Sequence, residues 1–209
     1  MKGIKNKGYK EYGKLGEGEF STVILVRNSR GVEYAIKQVP LKKLQSNAKL
    51  TAMFENEINT LNGLSHPSII EIVECFNSKE TFNMVYEYCE GGSLKNRLQR
   101  NEIFTENEAI LVAYQVAQAL LYIEREHLIH RDVKPENILI KDGKFKLADF
   151  GFCGSDYQND NGLIGSPLYM APEALGSYTY TIKNDVYGLG VTLFELVTKK
   201  VPFFDHDLR

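Results

Sequence analysis

The hydrophobic pattern runs in short strand-like stretches over the first ninety residues and then shifts to helical spacing. Thr22-Val23-Ile24-Leu25-Val26 and Glu33-Tyr34-Ala35-Ile36-Lys37-Gln38-Val39 are β-branched or alternating runs, and the polar Asn28-Ser29-Arg30-Gly31 between them predicts a hairpin. A period of two puts Ala35 and Lys37 on one face of their strand. Between Ser46 and Ser65, Phe54, Ile58, Leu61 and Leu64 recur at helical spacing, and Glu57 projects from the same helix, which must stop near His66-Pro67. Two further strand-like runs, Ile69 to Phe76 and Thr81 to Tyr88, lead to Glu90-Gly91-Gly92-Ser93, where the glycine pair reads as a hinge.

Beyond that pair, Thr105-Glu106-Asn107-Glu108 is a capping box opening a long helix, with Ala109, Val112, Ala113, Val116, Ala117 and Leu120 as its apolar face. Asp185 to Val197 is apolar nearly all round, which predicts a buried helix. No internal repeat or low-complexity segment interrupts the pattern.

A chain of 209 residues with 43% hydrophobic content can bury a sizeable core, as one large domain or two small lobes. The 25 basic against 27 acidic side chains give a net charge of −2, without the basic excess of a nucleic-acid binder, so nucleic acid is not an expected partner. Cys75, Cys89 and Cys153 are odd in number and far apart, which reads as a reduced compartment and no zinc site. No secretory signal or membrane span is evident, so the expected location is cytoplasmic, with the nucleus open. Lys2, Lys5, Lys7, Lys10 and Lys14 read as a solvated face.

Leu15-Gly16-Glu17-Gly18-Glu19-Phe20-Ser21-Thr22-Val23 is glycine-rich and lies between strands, where absent side chains let backbone N–H groups approach phosphate oxygens. Ser21 stands at the third glycine of GxGxxG and no helix follows, which predicts a hairpin lid rather than a Rossmann site. Lys37 on a half-buried strand is costly unless it meets an anion, and Glu57 is the candidate; taken alone, a solvated lysine and a surface glutamate fit as well. Ile129-His130-Arg131-Asp132-Val133-Lys134-Pro135-Glu136-Asn137-Ile138-Leu139 packs a base, two cations and a carboxamide into an irregular loop, and Asp149-Phe150-Gly151 follows twelve residues beyond Asn137.

With Ala171-Pro172-Glu173, these segments resemble the eukaryotic protein kinase family, whose signatures occur here in order from Tyr12 to Phe203. The resemblance implies an α+β, bilobal fold. A small β-rich N-lobe with one main helix would occupy residues 1–88, and a mostly helical C-lobe residues 89–209. It implies ATP and Mg2+ as cofactors and protein Ser/Thr hydroxyls as acceptors. Asp132 would accept the substrate proton and Lys134 steady the transferring phosphoryl. Asn137 and Asp149 would hold magnesium, Lys37 the α and β phosphates, and Glu57 would fix Lys37. Leu15, Gly16 and Gly18 would cover the nucleotide, with Val23 and Ala35 above the adenine, Leu139 below, and Glu87 and Cys89 in the hinge. Tyr86 would gate the rear of the pocket, hindering inhibitors that need that space, and Leu61, Ile72, His130 and Phe150 match an internal stack of the family.

Lys134 and Gly165-Ser166-Pro167-Leu168-Tyr169-Met170-Ala171-Pro172-Glu173 resemble the serine/threonine branch, looking similar to autophagy-initiating kinases, with calcium/calmodulin-dependent-like kinases still open. Arg131 beside Asp132 implies switching by a phosphate, because its charge wants an anion. Gly162, however, stands where the phosphorylated threonine is common. Asp156 and Asp160 would then supply the anion permanently, while Ser166 helps position the catalytic loop. Glu136 reads equally as a selector of basic substrate residues and as a surface carboxylate. A pseudokinase or scaffold is the alternative, against which the intact Lys37, Glu57, Asp132, Asn137 and Asp149 speak. The chain stops 36 residues after Glu173, where the family continues. The expectation is an incomplete C-lobe, an unpartnered Glu173, an exposed face on helix 185–197, and weak activity alone.

Overall fold

A computed structural model of the chain describes residues 2–155 and 162–203, which divide into two compact units. The first comprises residues 1–63 and 70–89. Its elements are α1 (Lys2–Asn6), β1 (Lys10–Glu17), β2 (Thr22–Arg27), β3 (Glu33–Pro40), α2 (Leu41–Ser46), α3 (Ala48–Gly63), β4 (Ile72–Asn77) and β5 (Thr81–Glu87). The strands form one antiparallel sheet in the order β1-β2-β3-β5-β4. The hairpin predicted around Asn28 joins β2 to β3, and the Asn28 side chain accepts the N–H groups of Arg30 and Val32, an Asx-type closure.

Alternation sorts this sheet into two faces. Ile24, Val26, Ile36 and Val85 point to one side, where Ile4 of α1, Tyr9 and Phe76 complete a buried cluster. Val23, Leu25, Ala35 and Lys37 take the other face of β2 and β3, because Val23 pairs with Lys37 and Leu25 with Ala35. α3 ends at Gly63, just ahead of His66-Pro67. β1 gave no alternating signal because it is largely exposed along its length, with two register irregularities against β2.

The second unit comprises residues 64–69 and 90 onward. It contains β6 (Gly92–Ser93), α4 (Leu94–Gln99), α5 (Glu106–Arg125), β7 (Leu128–Ile129), β8 (Ile138–Lys141), β9 (Lys144–Leu147), β10 (Gly154–Ser155), α6 (Pro172–Ser177) and α7 (Ile182–Thr198). β6, β8 and β9 form one small sheet, and β10 pairs with β7 in another. The α+β class expected from the sequence is therefore observed, with a β-rich first unit and a mostly helical second one.

α5 opens on the predicted capping box, in which the Thr105 hydroxyl accepts from Glu108 N and the Glu108 carboxylate accepts from Thr105 N. It buries Ala109, Val112, Val116, Ala119, Leu120 and Ile123 and packs against α7. Three expectations need correction. Ala117 is exposed, because the buried stripe of α5 runs through Ala119 and Ile123 instead. α7 is not buried all round: Val186, Phe194 and Val197 are exposed, while Asn184, Asp185, Thr192 and Glu195 lie on the buried side. Asp185 is drawn inward by the His130 and Arg131 amides and Glu195 by Lys95 and Tyr169, Asn184 accepts Thr181 N at the helix start, and the Thr192 hydroxyl is buried without a partner. The strand expected from Ile69 starts only at Ile72, because Ile69 bridges to Leu147 in the second unit. The Gly91-Gly92 pair is tied to the second unit, Gly91 N donating to Ile140 O and Gly92 pairing with Ile140.

Candidate active site

In the first unit, the register of β3 against β5 sets Ala35 opposite Tyr86 and Lys37 opposite Met84, so all four project to the same face. α3 lays Glu57 against that face with only 2% of its surface exposed. The Lys37 ammonium reaches one Glu57 oxygen at 2.8 Å and sits over the Phe54 ring, 5.1 Å from its centroid. The Tyr86 hydroxyl donates to the other oxygen at 2.7 Å. Nearby, burial pushes the Cys75 thiol up to about 11, and the negative charges of Glu57 and Glu74 act in the same direction. The anion that the sequence demanded for Lys37 is thus Glu57.

The glycine-rich segment is a hairpin turn between β1 and β2. Leu15 is exposed on β1, Gly16 pairs with Val23, and Gly18 N donates to Ser21 O at 2.8 Å. That turn keeps the Gly18 donor for itself. In the segment read as a hinge, Glu87 N donates to Glu71 O at 3.1 Å, and the Glu87 carboxylate accepts Glu71 N at 2.9 Å. Cys89 is buried.

In the second unit, the loop between β7 and β8 gathers Asp132, Lys134 and Asn137. Asn137 Nδ2 donates to the Asp132 carbonyl at 2.8 Å and to Asp132 Oδ2 at 2.9 Å. Lys134 Nζ lies 2.6 Å from the same Oδ2 and donates to Ser166 Oγ at 2.7 Å, as expected for a Ser166 that positions this loop. Asp132 Oδ1 is buried and has no hydrogen-bond partner. His130 is fully buried; its Nδ1 accepts Asp132 N at 3.3 Å, so Nε2–H donates to Ala148 O at 3.0 Å. Its ring meets Phe150 edge-on with centroids 4.8 Å apart. Asp149 precedes Phe150, and Leu139 is half-buried on β8.

Two residues here hold left-handed backbones, Arg131 at φ 70° and Asp149 at φ 64°. Such a conformation costs a non-glycine residue about 1–2 kcal/mol and persists only where neighbours impose it. At Arg131 the imposing neighbour is Asp185 on α7, whose two oxygens accept His130 N at 2.7 Å and Arg131 N at 2.8 Å. Burial pushes the Asp185 carboxyl up to about 6, against the lowering by His130, Arg131 and those N–H donors. Two glycines make room for Arg131. A Cβ on Gly154 would fall 2.5 Å from the guanidinium carbon, and one on Gly165 would fall 2.3 Å from the Arg131 carbonyl.

Sequence reasoning missed Asp185, the Tyr86 hydroxyl and Glu195. Tyr86 and Glu195 had one available signal, a polar group set in an apolar run, whereas Asp185 ends the polar stretch Lys183-Asn184-Asp185 and had none. The Glu195 carboxylate accepts the Tyr169 hydroxyl at 2.5 Å and Lys95 Nζ at 3.0 Å. Lys95 also lies 3.5 Å from Glu136, so the chain itself already supplies a cation to the carboxylate read as a selector of basic substrates. Arg131 donates to Ser155 O at 3.3 Å, whereas Asp156 and Asp160, expected to serve it as anions, lie outside the described residues. No helix among the described residues is long and apolar enough to cross a membrane.

Residues 9–209 match the family model described as "Protein kinase domain". The chain is 38% identical over 197 residues to serine/threonine-protein kinase ATG1c of Arabidopsis thaliana, covering 91% of this chain and 27% of that protein. It is 37% identical over 206 residues to the probable serine/threonine-protein kinase fhkE of Dictyostelium discoideum, covering 91% and 29%. To serine/threonine-protein kinase 33 of Bos taurus it is 31% identical over 204 residues, covering 90% and 42%. The chain thus spans less than half the length of these relatives. Because the match runs through both units and takes in the Lys37–Glu57 pair and the Asp132 loop alike, the chain belongs to the protein kinase family.

Proposed function

We propose that the chain is an ATP-dependent serine/threonine protein kinase domain, transferring the γ-phosphoryl of Mg-ATP to a Ser or Thr hydroxyl of a protein substrate. The observation that carries this reading is Asp132 Oδ1, a buried carboxylate oxygen without a donor. An unsatisfied buried acceptor costs about 1–3 kcal/mol, and a fold retains it where a ligand's donor completes it. A substrate hydroxyl is such a donor, and Asp132 is then its proton acceptor.

The donor chemistry suits the cofactor. Mg2+ takes oxygen ligands, keeps several waters and rests on one or two protein oxygens plus phosphate. Asn137 directs its nitrogen to Asp132, so its amide oxygen is the atom it offers a cation, and Asp149 adds a carboxylate. Bound there, the ion would neutralise phosphate charge. Lys37, aligned by Glu57, would engage the α and β phosphates, and Lys134 would steady the γ-phosphoryl from its place between Asp132 and Ser166. Leu15, Gly16, Gly18, Val23, Ala35, Leu139, Glu87 and Cys89 would contact the nucleotide. The substrate would be met in the cytoplasm or nucleus.

The test is radiolabel transfer from ATP to a generic basic protein by wild type, Asp132→Asn and Lys37→Met. The expected result is transfer by wild type and a loss of about 10²–10⁴-fold for Asp132→Asn. Transfer unchanged in both variants overturns the reading.

A further inference from the structure

Glu57 is a buried carboxylate whose two oxygens are served by two different strands. Lys37 comes from β3 and Tyr86 from β5, and the register that sets Ala35 opposite Tyr86 and Lys37 opposite Met84 makes them diagonal neighbours on one sheet face. A lysine alone would leave the second oxygen desolvated and without a donor, because Glu57 is 2% exposed. The Tyr86 O–H fills that need at 2.7 Å, a distance in the charge-assisted range. The phenol is itself buried and also lies 3.5 Å from Met84 Sδ, so its direction is fixed by packing on both sides. A phenylalanine would supply the same bulk and no donor.

We infer that the Tyr86 hydroxyl is a positioning group for the Lys37–Glu57 pair: by holding the second carboxylate oxygen it keeps α3 where the pair forms. This rests on the reading of Lys37 as the phosphate-binding lysine. Without the hydroxyl, Glu57 gains by turning toward water, and the Lys37–Glu57 ion pair is lost. Tyr86 thereby tunes how much of the chain is ready to receive nucleotide.

The experiment measures acylation of Lys37 by a water-soluble N-hydroxysuccinimide ester, mapped by peptide mass without nucleotide, in wild type, Tyr86→Phe, Glu57→Gln and the double variant. Exposed Lys79 is the internal standard. Tyr86→Phe is expected to raise Lys37 acylation several-fold relative to Lys79, and the double variant to match Glu57→Gln alone, because the hydroxyl acts only through Glu57. In the transfer assay, Tyr86→Phe is expected to lower kcat/KM for ATP about tenfold, with KM for the protein acceptor unchanged. Unchanged Lys37 acylation in Tyr86→Phe, or an equal effect in the Glu57→Gln background, overturns the inference. Absence of transfer by wild type would sink the kinase reading, while the acylation results would still decide the role of Tyr86. Should Tyr86→Phe fail to fold, Tyr86→Met, whose flexible side chain fills irregular gaps, takes its place in the same comparison.

Discussion

The two units each bury a carboxylate at the centre of their polar cluster, and the two are served differently. Glu57 has a donor on each oxygen, from Lys37 and Tyr86. Asp132 crowds Asn137 and Lys134 onto one oxygen and leaves the other, also buried, with none. A fully satisfied buried network fixes geometry, whereas a half-satisfied one carries a free-energy cost that a fold tolerates where chemistry uses it. The first cluster is built to hold still and the second to accept something.

The contrast is broken most directly at Asp132. Asp132→Asn is expected to reduce transfer by about 10³-fold while leaving the melting temperature within a few degrees, measured on the same preparation. Lys37→Met should behave in the opposite sense on stability. It strands the Glu57 charge and should cost about 3–5 kcal/mol in denaturant unfolding, which a second change, Glu57→Gln, largely restores without restoring transfer. If both single variants lose equal stability, the distinction between the clusters fails.

Asp185→Asn replaces one of the two acceptors under the His130 and Arg131 amides with an NH2 group, and about a 10–100-fold loss of kcat is expected. Its pH signature is also specific. With the carboxyl raised to about 6 in the fold, the native state holds this proton more tightly than the unfolded chain does. Its contribution to stability is therefore fully present below about pH 4 and is lost as pH rises through 6. Urea unfolding between those limits should show this falling component in wild type and not in Asp185→Asn. Ser166→Ala removes one hydrogen bond from Lys134, so a loss of roughly 3–10-fold in kcat/KM is expected in steady-state kinetics. The smallest effect is at Cys75. Its thiol, raised to about 11, should alkylate slowly with iodoacetamide at neutral pH and accelerate only in strongly alkaline buffer.

Much of the site was legible because its parts are local. The catalytic loop and Asp149-Phe150-Gly151 are short, ordered strings, and the Lys37–Glu57 pair, made a candidate by the cost of burying a lysine on a strand, was singled out by the family resemblance those strings carry. What escaped sequence reading depends on register and long separations. Tyr86 meets Glu57 across 29 residues and Asp185 meets His130 across 55, and neither spacing follows from periodicity. The two-residue strands β6, β7 and β10 are too short for any alternation to register. α4 begins on a capping box made by Ser93 and Asn96 rather than a glutamate, which hid its start. α7 misled because its apolar side chains outnumber its buried ones, and the inward face is chosen by Asp185 and Glu195.

The cluster on the face of the first sheet opposite Lys37 bears on how this polypeptide is produced. The family match begins at residue 9, so trimming an expression clone to it would retain Tyr9 and discard Ile4. Ile4 is buried against Tyr9, Ile24, Val26, Ile36, Phe76 and Val85, and its removal would leave a greasy opening on an otherwise folded sheet. Soluble yield, more than catalysis, would register that cut, and an affinity tag belongs upstream of Lys2 with a spacer that lets α1 settle.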